Sequence, residues 1–298
     1  MADNIVTLKD GRKLSYADYG ETDGIAVFLF HGIPGSRLFH LERDPYVKKY
    51  GLRIIAPERP GSGRSDPKPD RTISDWADDV KELADQLGID QFHIAGGSGG
   101  GPYALACAIA LPQRVISATL FASATPPDIL NKKGMALGNK LAFLTAEYAP
   151  LLLKWMFANY ANVIQKKPEK FLQKMMGQFC EWDRQVINNA RIGIDDHSII
   201  QHLKEAFRQG SEYVYQDFLL ISRPWNIAIN SLKIPTYLWH GEADTLVPVA
   251  PAKIFAKTLP NCESHFINDA GHLLLESDDI GEKMILKMLA MRDKSQKE

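Results

Sequence analysis

The sequence predicts an α/β fold: a mostly parallel central sheet flanked by helices, with a helical cap inserted before the last strands. Three observations predict it. Apolar runs of strand length alternate with stretches of helical periodicity through the first 124 residues, the grammar of a parallel sheet covered on both faces. From 125 to 229 the pattern is helical, with no convincing strand, and so long a stretch is not a structureless loop. Strand-and-helix alternation returns over 230–298. The division that follows is a core domain formed by 1–124 and 230–298, and an inserted cap of 125–229.

Taken in order, residues 5–8 and 14–19 flank Asp10-Gly11, a strong hairpin signal. Ile25-Ala26-Val27-Phe28-Leu29-Phe30 is continuously apolar, as expected of a central strand. Leu52-Arg53-Ile54-Ile55-Ala56 is the next candidate. Trp76, Val80, Leu83 and Leu87 recur at helical spacing, and Gly88 supplies a stop. Thr72 and Asp75 stand at capping-box spacing, with Ser74 as the alternative cap. Phe92-His93-Ile94-Ala95 reads as a strand, and the alanine-rich run after Gly99 as a helix ending near Pro112. Residues 115–122 form another strand candidate. In the cap, Leu137, Leu141 and Leu144, then Leu152, Trp155 and Met156, then Phe171, Met175 and Phe179 mark helices separated by Pro150 and Pro168. Val214, Phe218 and Ile221 continue the style. Strands return at 234–239 and 264–267, and Ile280, Met284, Ile285 and Met288 mark a last helix before a polar tail over 292–298.

Composition narrows the function classes. A hydrophobic content of 45% and a charged content of 24% over 298 residues are those of a soluble globular protein with a large core. A net charge of −1 gives no general attraction to nucleic acid or to anionic membranes. Cys107, Cys180 and Cys262 are odd in number and far apart, so neither a disulfide framework nor a metal cluster is expected. There is no apolar leader and no run of transmembrane length, which favours a cytoplasmic protein without a membrane span. No histidine pair forms a metal-binding pattern and no His-Glu-x-x-His occurs, so neither a metal nor another cofactor is expected.

The chemistry concentrates at Gly96-Gly97-Ser98-Gly99-Gly100. Gly-x-Ser-x-Gly between a strand and a helix pushes the serine hydroxyl outward on a turn so tight that its neighbours must be small. The amide at the helix start can hold an oxyanion beside that hydroxyl. A dinucleotide site would need Gly-x-Gly-x-x-Gly, and from Gly97 the last position is Pro102, so that pattern fails. No Walker-type phosphate loop occurs. A plain packing turn would explain the glycines and leave the serine unexplained.

His31-Gly32-Ile33-Pro34-Gly35, Arg59-Pro60-Gly61-Ser62-Gly63-Arg64-Ser65 and the Ser98 turn resemble, in order and spacing, the α/β-hydrolase fold superfamily. The resemblance covers about the first 120 and the last 70 residues. It implies Ser98 as nucleophile and the backbone amides of Ile33 and Gly99 as oxyanion donors. It also implies a Ser-acid-His order, which Asp244 and His272 satisfy after late strands. Glu242 and Asp128 are alternative acids, and Asp269 is read as a turn residue. His31 is read as a buried residue shaping its loop. The 59–65 loop is read as architectural, with its arginines available to an anionic substrate. His93 and His265 are read as structural and His240 as shaping the acid loop, whereas His40, His197 and His202 carry no diagnostic context.

The implied function is a serine hydrolase acting through an acyl-enzyme on a small-molecule carboxylic ester. A proline iminopeptidase-type aminopeptidase is the alternative, because the same motifs resemble that family. It usually has Gly where Ile33 stands and Trp where Gly99 stands. It also needs cap carboxylates for the substrate ammonium, with Glu147, Glu181, Glu205 and Glu212 available. A non-enzymatic ligand receptor on the same fold is a third reading. Dehalogenases and epoxide hydrolases of this fold use an aspartate nucleophile, so Ser98 argues against both. Cap aromatics such as Phe157, Tyr160 and Trp155 are candidates for pocket or core, and the oligomeric state stays open.

Overall fold

A computed structural model describes residues 4–40, 43–189 and 196–291. The opening residues 1–3 and the polar tail over 292–298 lie outside the described residues. Eight strands form one sheet: β1 (Asn4–Thr7), β2 (Lys13–Gly20), β3 (Ile25–Phe30), β4 (Leu52–Pro57), β5 (Phe92–Gly97), β6 (Val115–Phe121), β7 (Thr236–Gly241) and β8 (Cys262–Ile267). Their order is β1-β2-β4-β3-β5-β6-β7-β8. The hairpin β1-β2 pairs antiparallel within itself and onto β4, and every later pairing is parallel.

Strand β3 shows why the apolar run was needed. Phe28 and Phe30 face one hydrophobic core with Trp76, Leu83 and Tyr103. The alternate residues Val27 and Leu29 face a second core with Trp239, Met284 and Ile285. A strand buried on both faces cannot alternate polar with apolar. Helices α1 (Asp44–Lys49), α2 (Trp76–Gln86), α3 (Gly101–Ala110), α10 (Val249–Thr258) and α11 (Asp278–Leu289) cover the sheet. Before α2, Thr72 and Asp75 exchange hydrogen bonds reciprocally, the Asp75 carboxylate accepting the Thr72 amide at 2.6 Å.

Register sets where the loops emerge. Phe30 lies opposite Gly96, Gly97 opposite Phe121, Phe121 opposite Trp239, and Gly241 opposite Ile267. The carboxyl ends of β3, β5, β7 and β8 therefore finish level, and residues 31–33, 98, 242–244 and 268–272 leave one edge together.

Between β6 and β7 the described residues contain α4 (Leu137–Tyr148), α5 (Pro150–Lys166), α6 (Pro168–Met176), α7 (Glu181–Asn189), α8 (Asp196–Ala206) and α9 (Glu212–Ile221). Pro150 and Pro168 open α5 and α6, where a missing amide is harmless. The inward faces differ from the leucine stripes. Leu137, Leu141, Leu152 and Trp155 point to solvent, Trp155 being 65% exposed. Phe143 and Phe157 turn inward instead, with ring centroids 4.9 and 5.5 Å from that of Phe218 on α9. Aromatic packing around α9 decides which side of α4 and α5 is buried.

Candidate active site

Ser98 follows β5 with φ 51°, in the left-handed region that a residue with a Cβ enters only under strain. The turn is as tight as the sequence demands. A Cβ on Gly100 would stand 2.3 Å from the Phe30 carbonyl oxygen. The loop after β3 passes beside the hydroxyl, since a Cβ on Gly32 would lie 3.3 Å from Ser98 Cβ and 3.7 Å from its Oγ. The Ile33 side chain covers Gly99, within 2.7 Å of where a Cβ there would be. A large side chain at position 99 would displace Ile33.

Asp244 and His272 meet at the ends of β7 and β8. His272 Nδ1 lies 2.8 Å from Asp244 Oδ2. The other carboxylate oxygen accepts the amides of Leu246 and Val247 at 2.8 and 2.9 Å. Burial alone would raise the Asp244 pKa, but the His272 charge and these hydrogen bonds outweigh it and hold the carboxyl below its usual range. Burial would lower that of His272, but the Asp244 carboxylate prevails and holds the ring above its ordinary value. His240, buried behind them, lies 2.8 Å through Nε2 from the Val247 carbonyl oxygen.

Ser98 and His272 line one cavity of about 240 Å³. Its walls are mostly apolar, including Phe121, Phe157, Tyr160, Phe171 and Phe218. Of the other acids, Glu242 pairs with Lys253 at 2.5 Å, and Asp128 and Asp269 are exposed, the latter on a left-handed turn. The glutamates 147, 181, 205 and 212 are absent from the cavity wall. They pair with Lys132, Arg184, Arg37 and Lys154 respectively. The carboxylate on that wall is Glu276, 3.8 Å from His40 Nδ1, which the sequence reading overlooked. His40 and His202 also line the cavity, whereas His197 is exposed on α8. Among the described residues no cluster is arranged to hold a metal ion, and no helix is long and apolar enough to cross a membrane.

His31 and Arg59 shape the loop, as read. His31 is buried, with Nδ1 2.9 Å from the Gly32 carbonyl oxygen, and its Nε2 accepts the Arg59 amide at 3.3 Å. Arg59 itself is fully buried and ion-paired with Asp217 at 2.6 Å, so its charge is already engaged. The inserted helices also reach the other two loops. Asp183 on α7 accepts the Leu273 amide at 2.9 Å, and the Thr245 hydroxyl donates to the Gln178 carbonyl at 2.7 Å. Neither aspartate stands in a motif, and nothing local in the sequence distinguishes them from solvated helix acids.

Comparison with known proteins places the fold in a family. Residues 25–279 match the family model described as the alpha/beta hydrolase fold. The chain is 25% identical over 247 residues to a bifunctional esterase/perhydrolase of Acinetobacter calcoaceticus, covering 82% of this chain and 83% of that protein. It is 23% identical over 274 residues to a proline iminopeptidase of Neisseria gonorrhoeae, covering 87% and 86%. A thermophilic esterase from Thermogutta terrifontis superposes with a TM-score of 0.68 at 23% identity, over 99% of both chains.

Proposed function

The chain belongs to the α/β-hydrolase fold family, and from that premise we propose that it is a serine hydrolase of small carboxylic esters. The observation that carries this reading is the His272–Asp244 pair at 2.8 Å opening, with Ser98, into one apolar cavity. Protonated at Nδ1 and donating to Asp244, the ring keeps Nε2 free to take the Ser98 proton. Oγ attacks the ester carbonyl, and the amides of Ile33 and Gly99 receive the oxyanion. Collapse expels the alcohol, protonated by His272, and leaves an acyl-enzyme. Water, deprotonated by the same ring, then releases the acid and restores Ser98.

A cavity of about 240 Å³ lies just below the usual ligand-pocket range of roughly 300–1,000 Å³, which suits a short acyl or alcohol group. Its mostly apolar walls favour a neutral ester over a prolyl ammonium, since the four cap glutamates proposed for that cation are paired elsewhere and the carboxylate on the wall, Glu276, stands beside His40. A fluorophosphonate probe tests the nucleophile. Intact mass should show one adduct, absent in Ser98→Ala and strongly reduced in His272→Ala. Persistent labelling in Ser98→Ala would overturn the assignment. A panel of esters and aminoacyl amides with matched leaving groups tests the substrate. A clear preference for Pro-amide would reject the ester reading, and tight ligand binding without turnover would favour a receptor.

A further inference from the structure

The buried cluster around Arg59 is not needed to hold two layers together, because apolar residues of similar volume would do that without desolvating charges. Its geometry is unusual in what it grips. Arg59 donates from Nη1 to the His31 carbonyl at 2.6 Å and from Nη2 to the Gly32 carbonyl at 2.8 Å. Its Nε donates to Asp217 Oδ2 on α9 at 2.6 Å. The second Asp217 oxygen accepts the Tyr103 hydroxyl at 2.8 Å and pairs with Arg71. The Arg59 guanidinium also lies 4.7 Å from the Tyr103 ring centroid. The planar fork is thus held at each of its three nitrogens, which a lysine ammonium could not reproduce.

The Gly32 carbonyl shares its peptide plane with the Ile33 N–H. In a trans peptide the two point in opposite directions, so fixing the oxygen fixes the amide. Among the described residues no acceptor takes the Ile33 amide. We infer that Arg59 and Asp217 are positioning residues for the oxyanion: α9 holds the guanidinium, the guanidinium holds the Gly32 carbonyl, and the Ile33 N–H is thereby aimed beside Ser98. This rests on the serine-hydrolase reading, and it assigns the inserted helices a part in the transition state.

The test compares Asp217→Asn and Arg59→Lys with Asp79→Asn. Asp79 is equally buried, and its ion pairs are with Arg12 and Lys68, neither of which contacts Arg59 or Asp217. All three should melt earlier than the parent. Only the first two should lose kcat, by about ten- to a hundredfold, less than the roughly 10²–10³ of deleting an oxyanion donor outright. Their KM should stay within about threefold. Affinity for an alkyl boronic acid, which forms a tetrahedral adduct on Ser98, should fall in step with kcat. Ester binding to the same variants in a Ser98→Ala background should not change. If Arg59→Lys and Asp217→Asn do not fold, Tyr103→Phe removes one hydroxyl from Asp217 and should show the same split at about two- to fivefold. Unchanged kcat and boronate affinity in a folded variant would overturn the inference while leaving the hydrolase reading intact. An unlabelled, inactive parent would instead remove the reading itself.

Discussion

At the scale of residues, the Asp244–His272 contact sets the pH behaviour. In the proposed mechanism the ring acts as base only when neutral, and Asp244 holds its pKa above the 6.5 of a free imidazole. The kcat/KM profile should therefore fall on the acid side through a midpoint above 6.5. In Asp244→Asn burial is opposed only by the weaker pull of Asp183 and Glu276, so the midpoint should move down. Turnover should drop on the order of 10²-fold or more as the ring loses its orienting charge. A midpoint that stays put would show that another group titrates. The candidates Ser98, Asp244 and His272 stood out in the sequence because a Gly-x-Ser-x-Gly turn and two late strand ends carry them. The fold brings His272 and Asp244 within 2.8 Å of each other. Glu276 did not stand out, since nothing short of folding shows that a glutamate after His272 returns to the cavity wall.

At the scale of elements, α7 and the His272 loop touch so closely that they should be energetically coupled. A Cβ on Gly271 would stand 2.3 Å from the Asp183 carboxylate. Gly271→Ala should reduce activity and stability in the parent, and much less when Asp183 is also Ala, a non-additivity that a double-mutant cycle measures directly. Equal effects in both backgrounds would mean the strain lies elsewhere. The helices of the insertion were legible from their prolines and periodicity, but their faces were not. The leucine spacing of α4 marked a helix without saying which side is covered; Leu137 and Leu141 are exposed, and Phe143 packs on Phe218 instead. Leu151 and Trp155, 82% and 65% exposed, should accordingly accept Lys with melting temperature changed by about 2 °C or less, as surface substitutions do. A large drop in the thermal melt would show that this face is covered.

At the scale of the whole molecule, several buried histidines should make the fold acid-sensitive. Burial holds the pKa of His31, His40 and His240 below the ordinary value, and that of His202 at about 3. The unfolded chain binds protons at these sites near 6.5 while the folded chain does not. Their stabilising contribution is thus present above 6.5 and lost as pH falls, at up to about 1.4 kcal/mol per pH unit for each group. His272 runs the other way. Its contribution is full below 6.5 and disappears as pH rises through its raised folded value. The balance predicts unfolding free energy declining between about pH 6.5 and 5, measurable by urea titration, and a flatter slope in His202→Gln. Stability constant over that interval would refute it.

The pairing of Arg59 with Asp217 also bears on inheritance. The carboxylate belongs to the insertion and the guanidinium to the sheet edge, so neither can be exchanged alone. A chimera that received its 125–229 segment from a relative would leave Arg59 charged and uncompensated unless the donor supplied an acid at the matching point of its last helix. Such an orphaned buried ion costs about 3–5 kcal/mol, a large part of a typical domain's stability. Segments lacking the acid should yield insoluble grafts, and adding that single aspartate should recover folded protein. What looks like a detachable accessory is, by this bond, matched to its chassis.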